Sequence, residues 1–217
     1  MMNLTKENIQ FIDTYLEQSD VKHIDIRMEM VDHVASEIEN RIDAGDTRDF
    51  YYVFKDYMLE HKSFLLENNT RFLRQTTKKL SNQLLKSFFS IKSFTLLAVF
   101  TAIIYFGFNN YDSELMKNVL LISMIFLIIA PAICYFFALK KFNYNRFSGI
   151  ERLGFFFSFL LQFINIVNIT GANFIKNQNH LLITSIVMAL VFTFILVFIR
   201  LSVLTFKDYK YRYNNLC

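Results

Sequence analysis

Four apolar stretches follow one another in the second half of the chain, at about 93–108, 119–139, 153–169 and 181–199, and none contains Asp, Glu, Lys or Arg. Each approaches the ~20 residues that a helix needs to cross the hydrocarbon layer. That leaves few solutions. In hydrocarbon every backbone N–H and C=O has to be satisfied within the segment or in a closed barrel, and apolar runs of this length are helices. The expected class is an all-α membrane protein: an N-terminal three-helix domain, then a four-helix transmembrane bundle. Charge-free spans also lack the usual mark of pumps, transporters and voltage sensors.

The segments between the spans set an orientation, because Lys and Arg near span ends stay on the cytoplasmic side. Arg71, Arg74, Lys78, Lys79, Lys86 and Lys92 precede the first span. The loop after it carries Asp112 and Glu114 against Lys117. The next carries Lys140, Lys141, Arg146 and Arg152 against Glu151; the third has only Lys176. Residues 200–217 carry Arg200, Lys207, Lys210 and Arg212 against Asp208. The alternation predicts a multi-pass protein with both termini in the cytoplasm. Residues 1–20 have neither the apolar core nor the cleavage site of a signal peptide. Cys134, inside a span, and Cys217 have no disulfide partner across this topology and are expected to be unpaired.

Charge divides the polar part. Residues 1–67 hold 7 basic and 15 acidic side chains, whereas residues 68–92 hold six basic and none acidic. The expected division is an acidic helical domain at 1–67, a basic connector helix at 68–92, the bundle at 93–199 and a basic tail at 200–217. An anionic bilayer repels the first part and attracts the second. Within the connector an amphipathic helix is predicted at about 70–87, after a break at Asn68–Asn69, either ending before the first span or continuing into it without a break. Leu73, Leu80, Leu84 and Phe88 face one way, and Arg71, Arg74, Lys78, Lys79 and Lys86 lie on the membrane surface.

The soluble helices have readable ends. Thr5 is a predicted N-cap, with Leu4 and Ile9 as a hydrophobic staple. Ile9, Ile12 and Leu16 form a stripe with Phe11 and Tyr15 beside it, and the helix should end near Ser19–Asp20. A second helix is predicted from Lys22 to Ala44, stopped by Gly45 at C′. Its expected core seam is Ile24, Met28, Val31, Ala35, Ile38 and Ile42, a heptad-like spacing. Ile26, Glu29, Met30, His33 and Glu37 then form an outer surface, the expected contact site for a partner protein or a second copy. A third helix starts around Asp46 and carries Phe50, Val53, Phe54, Tyr57 and Met58 on one face.

Tyr15-Leu16-Glu17, the run Arg27-Met28-Glu29-Met30-Val31-Asp32-His33-Val34, then Glu37-Ile38-Glu39 and the Ala44-Gly45-Asp46 turn before an aromatic helix resemble the HAAS-type helical signalling domain. The resemblance covers roughly residues 5–65. It departs from the family at Phe50-Tyr51-Tyr52-Val53, where members often show acidic residues and Ala, and lacks a Leu-Gly ending after the third helix. The family is a three-helix cytoplasmic module of bacterial membrane proteins, often encoded beside PadR-type transcription regulators. The resemblance implies a regulatory or interaction role and no catalysis.

Other chemistry is thinly signalled. Glu29, His33 and Glu37 share a helix face at spacings of four, and such a group could hold a metal; on a solvated face, surface charge is the simpler reading, and no metal site or cofactor is expected. The five glycines, Gly45, Gly107, Gly149, Gly154 and Gly171, never cluster into a phosphate-binding loop. No HExxH, CxxC or GxSxG motif occurs. The basic residues are juxtamembrane, which accounts for them without nucleic acid. In the third span Gln162, Asn165 and Asn168 repeat at three and three. Amides in hydrocarbon seek partners, so this face should point into the bundle or at another chain. The leading expectation is a non-catalytic regulatory or accessory subunit of the bacterial inner membrane. The alternative is a small transporter, channel or lipid-handling component with a polar path along the third span.

Overall fold

The structure, a computed structural model, describes the backbone of residues 4–142, 146–176 and 181–213 and the side chains of residues 4–140, 146–169 and 181–213. Cys217 and His180 and the side chains of Lys141 and Lys176 lie outside that set. The described residues are almost wholly helical, with no strand among them. They form two compact units: the residues up to Lys78 together with Arg146–Ser148, and the remainder from Lys79 onward.

In the first unit α1 spans Lys6–Gln18 and α2 Ile24–Asp43. Thr5 caps α1 as expected, its hydroxyl accepting the Asn8 N–H at 3.3 Å. The helix closes as a Schellman turn: Asp20 takes φ 73°, its N–H donates to the Glu17 carbonyl, and the Val21 N–H reaches back to Leu16. Val21 and Leu16 are both buried, the apolar contact that accompanies this motif. α2 closes the same way. Gly45 takes φ 105°, its N–H donates to Ile42, and the Asp46 N–H donates to Arg41. Glycine adopts that backbone without the Cβ clash other residues suffer.

The α2 seam is a correction. Ile26, Met30, Val34 and Ile38 are buried, with Val31 and Ala35 beside them, while Met28 is 42% exposed. Ile9 on α1 is exposed too, so it does not complete the staple. At 100° per residue the α2 stripe is centred about 60° from the heptad-like seam. The cause is Val34: it sits midway between the Ile26–Met30 row and the Val31–Ala35 row, and together they make one broad apolar face. The heptad reading left it out.

α3 is a single 39-residue helix, Phe50–Phe88, so the predicted break at Asn68–Asn69 does not occur. Thr70–Thr77 continue helical, and the helix ends only at the Ser90 cap of α4, whose hydroxyl accepts the Ser93 N–H. Val53, Phe54, Tyr57 and Met58 are buried as predicted, and Leu65 extends the row. The 146–148 segment belongs to this unit as well: Ser148 donates its N–H and hydroxyl to the Asp25 carboxylate at 3.0 and 2.5 Å, and Arg146 pairs with Glu17.

The α2–α3 turn carries a charge cluster. Asp46 accepts from the Arg48 backbone N–H and guanidinium (2.7–3.2 Å), and Arg48 also reaches Asp56 at 2.6 Å. These bonds hold the Asp46 carboxyl down at about 2 from an ordinary 3.8. A lowered carboxyl pKa stabilises the fold above the unfolded value, and that contribution is lost as pH falls through the folded one. Asp46→Asn is therefore expected to flatten the pH dependence of stability between about pH 4 and pH 2 and leave it unchanged near pH 7. Circular dichroism melts across that range check it; an unaltered acid limb would remove the cluster from the account.

The second unit holds four helical segments long and apolar enough to cross a membrane: Ile91–Asn110, Ser113–Lys140, Ser148–Ile169 and Leu181–Tyr213. The protein is thus a multi-pass membrane protein by length and composition. These correspond to α4 (Ile91–Asn110), α5 (Ser113–Phe142), α6 (Ser148–Leu160) with α7 (Gln162–Lys176), and α8 (Leu181–Tyr213). Within its most apolar window α8 is 56% buried against 22% for the other three, so it is the axis of the unit and the others keep broad outer faces. α4 lies along α8, with Phe100 and Phe192 6.0 Å apart, and α7 packs on α5 and α8.

α5 carries Pro131 inside one continuous helix. Two details differ from expectation. The third span is interrupted at Leu161, whose carbonyl accepts the Ile164 N–H in a tight i→i+3 turn. The fourth helix runs on to Tyr213, so most of the predicted tail is helix.

Candidate interaction surface

Of the α2 residues expected to meet a partner, Ile26 and Met30 are 3% and 2% exposed. They are core and offer nothing to a docking protein. Glu29 and His33 are exposed and Glu37 is half-buried. The outer face of α2 is therefore polar, interrupted only by Met28. Among the described residues no group of three or more His, Cys, Asp or Glu is placed to hold a metal.

The exposed apolar surface of the first unit lies on α1 and α3 instead. Phe11, Tyr15, Tyr51, Met58 and Leu59 line a groove of about 310 Å³, bordered by Lys55 and Lys62. Its floor is an aromatic cluster: Phe11 meets Phe54 edge-on at 5.2 Å, Tyr15 meets Phe54 at 5.1 Å, and Tyr51 lies 6.1 Å from Phe11. Leu59 is 75% exposed at the rim. Lys62 stands over the Tyr15 ring at 5.2 Å, so one of the two cations is already oriented. Two lysines on a domain otherwise rich in carboxylates make this the patch suited to an apolar segment with acidic neighbours. The sequence signal was present but weak. Phe11, Tyr51 and Leu59 are apolar residues just off the buried faces of their helices, and such residues are usually incidental.

Arg27 was missed outright. It is 6% exposed, donates to Asp13 at 2.7 Å and to the Val21 carbonyl at 3.3 Å, and lies 3.5 Å from Glu17. It ties α2 to the end of α1. Only tertiary placement could reveal this, since a single Arg within a charged helix carries no periodic signal.

Arg71, Arg74, Lys78, Lys79 and Lys86 are all exposed on α3; Arg71 pairs with Glu67 at 2.8 Å, an i,i+4 contact. Leu80 and Leu84 face the other way and are buried. In the third span Gln162, Asn165 and Asn168 are exposed on the outside of the unit, not between its helices. They therefore line no path through the interior of one chain. Cys134, a free thiol, is exposed in an apolar groove of about 480 Å³ along α5, α6 and α8.

With this geometry in hand, comparison with known proteins adds no relative: no family model matches the chain, and no curated protein or solved structure matches it.

Proposed function

We propose that this protein is a non-catalytic regulatory or accessory subunit of a bacterial cytoplasmic membrane, acting through contacts of its N-terminal helical domain with another protein. The observation that carries the reading is the lysine-bordered aromatic groove on α1 and α3. Binding surfaces are enriched in aromatic residues, and the energy concentrates in a few apolar anchors ringed by polar groups. The groove has that composition. The juxtamembrane cations and the HAAS-like pattern support the same reading: both termini in the cytoplasm, with the α3 cations against anionic headgroups at ~1 kcal/mol each. Specificity would come from acidic side chains on the partner meeting Lys55 and Lys62.

A photo-crosslinking amino acid at position 59 of the full chain tests this in cells. The expected result is one discrete adduct, strongly reduced by Phe11→Ala or Tyr51→Glu and not formed from position 36 on the polar face of α2. Adducts equal from both positions, or unaffected by the groove substitutions, would remove the groove from the function.

A further inference from the structure

The amides of the third span have no partner where they most need one. Gln162, Asn165 and Asn168 are exposed, and none of the described hydrogen bonds involves their side-chain atoms. Several other polar side chains of this unit do find a partner, although the buried Thr193 hydroxyl does not. Ser185, Ser202 and Thr205 on α8 each donate to the carbonyl four residues earlier, at 2.9–3.0 Å. Asn110, at the end of α4, does the same with Phe106 at 2.8 Å. An amide of this chain can therefore be satisfied by its own helix, and the third-span amides are not. Gln162 begins α7 at the Leu161 turn, in the interior of the third span, with helix α6 before it and α7 continuing to Lys176 after it. Its side chain is too short to bring water to that depth, and an unpaired amide in hydrocarbon costs several kcal/mol.

The same face is longer than the three amides. Ile169 is exposed and lies between Gln162 and Asn165 in projection on α7, and Ser158 is exposed one turn earlier on α6, before the Leu161 interruption. An amide offers two N–H donors and an accepting carbonyl, so the surface that best satisfies an amide row is another amide row. A lipid tail offers neither donor nor acceptor. A second copy of this chain, inserted with the same orientation, presents an identical row, and a two-fold axis along the membrane normal brings the two together.

We propose that the outer face of α6–α7, centred on Gln162 and Asn165, is a homodimer interface within the membrane, with amide–amide hydrogen bonds between the two third spans. Small polar residues such as Ser158 let the helices approach closely, and apolar Ile169 continues the contact. This interface is separate from the groove of the first unit and stands or falls without it.

The test uses the full chain in phosphatidylcholine–phosphatidylglycerol vesicles, with donor- and acceptor-labelled copies mixed at increasing lipid dilution. Energy transfer between copies is expected, and Gln162→Leu/Asn165→Leu/Asn168→Leu should weaken association by at least about tenfold at unchanged helicity. Asn165→Gln, which keeps the amide, should retain most of it. Because a triple variant can misfold, a second measurement uses single cysteines in a Cys134→Ala/Cys217→Ala background. Two Ser158→Cys copies should crosslink to each other on oxidation, as should two Ile169→Cys copies, and two Ile122→Cys copies, with the cysteine on the outer face of α5, should not. A wild-type chain that is monomeric at every dilution, whether its amides meet lipid or a different protein, overturns the proposal. So does a folded triple variant that dimerises undiminished, or crosslinking as strong from position 122.

Discussion

Ile38→Lys is expected to unfold the N-terminal helical unit while Met28→Glu leaves it intact. Ile38 is 0% exposed, in a cluster with Leu16, Val34, Val53 and Tyr57. A lysine there has to bury its ammonium, lose its proton or force the helices apart. Each route costs more than ~4 kcal/mol, the range reached only by mutations of this kind. A helical unit of fewer than a hundred residues has about that much stability to lose. Met30→Glu should act the same way. Met28 is half out of the fold, and Glu is as good a helix former as Met, so its replacement should change stability by no more than ~0.5 kcal/mol. Hydrogen exchange on the full chain in detergent distinguishes the outcomes. Amides of α1, α2 and the first turns of α3 should lose protection in Ile38→Lys, while α4, α5 and α8 keep theirs. Equal effects of Met28→Glu and Met30→Glu would mean that the α2 stripe is wrongly placed.

That pair of substitutions also marks where sequence reasoning stopped. Caps and turns are local chemistry, and Thr5, the close of α1 at Ser19–Asp20 and Gly45 were all legible because each needs a specific residue type at one position. The spans were legible because hydrocarbon demands length and apolarity and little else. The α2 face was not, because Ile24, Ile26, Met28, Met30, Val31 and Val34 place apolar side chains on most of the helix circumference. Periodicity then leaves the centre of the stripe open, and only the partners α1 and α3 fix it. The same degeneracy hid the groove: Phe11, Tyr51 and Leu59 are apolar like their buried neighbours, and what separates them is a rotation of a few tens of degrees. The Asn68–Asn69 break failed for another reason. Asn is a mild helix breaker by propensity, and packing of Leu65 against the core on one side and burial of Leu80 and Leu84 on the other outweigh it. The polar row of the third span was found from spacing alone. Whether it faced inward or outward could not be, since both faces of a span are apolar when the solvent is lipid.

Gly154→Val should destabilise the membrane unit by ~2–3 kcal/mol, and Gly107→Ala should be nearly neutral, although both glycines face a neighbouring side chain. A Cβ on Gly154 would stand 2.6 Å from the Tyr135 hydroxyl oxygen. That hydroxyl donates to the Ile150 carbonyl at 2.9 Å, and the Tyr135 ring is enclosed by Phe157 at 5.3 Å and Phe206 at 5.6 Å. The tyrosine therefore cannot swing away without giving up the bond and the ring contacts together, and overpacking of a closed site costs about 1–3 kcal/mol. At Gly107 the obstacle is the Met116 thioether, whose terminal methyl would meet the added atom. Methionine has three rotatable bonds and yields easily. Closeness alone thus does not decide the cost; the freedom of the neighbour does. Tyr135→Phe separates the two contributions. On its own it forfeits one hydrogen bond, worth about 1 kcal/mol in a membrane interior, and it removes the atom nearest the new Cβ. Gly154→Ala should therefore cost less in the Tyr135→Phe background than in the native chain, a non-additivity that a double-mutant cycle measures directly. Equilibrium unfolding of the native chain and the five variants in mixed micelles gives the numbers. Strict additivity would mean that Tyr135 is not the residue holding α6 close to α5.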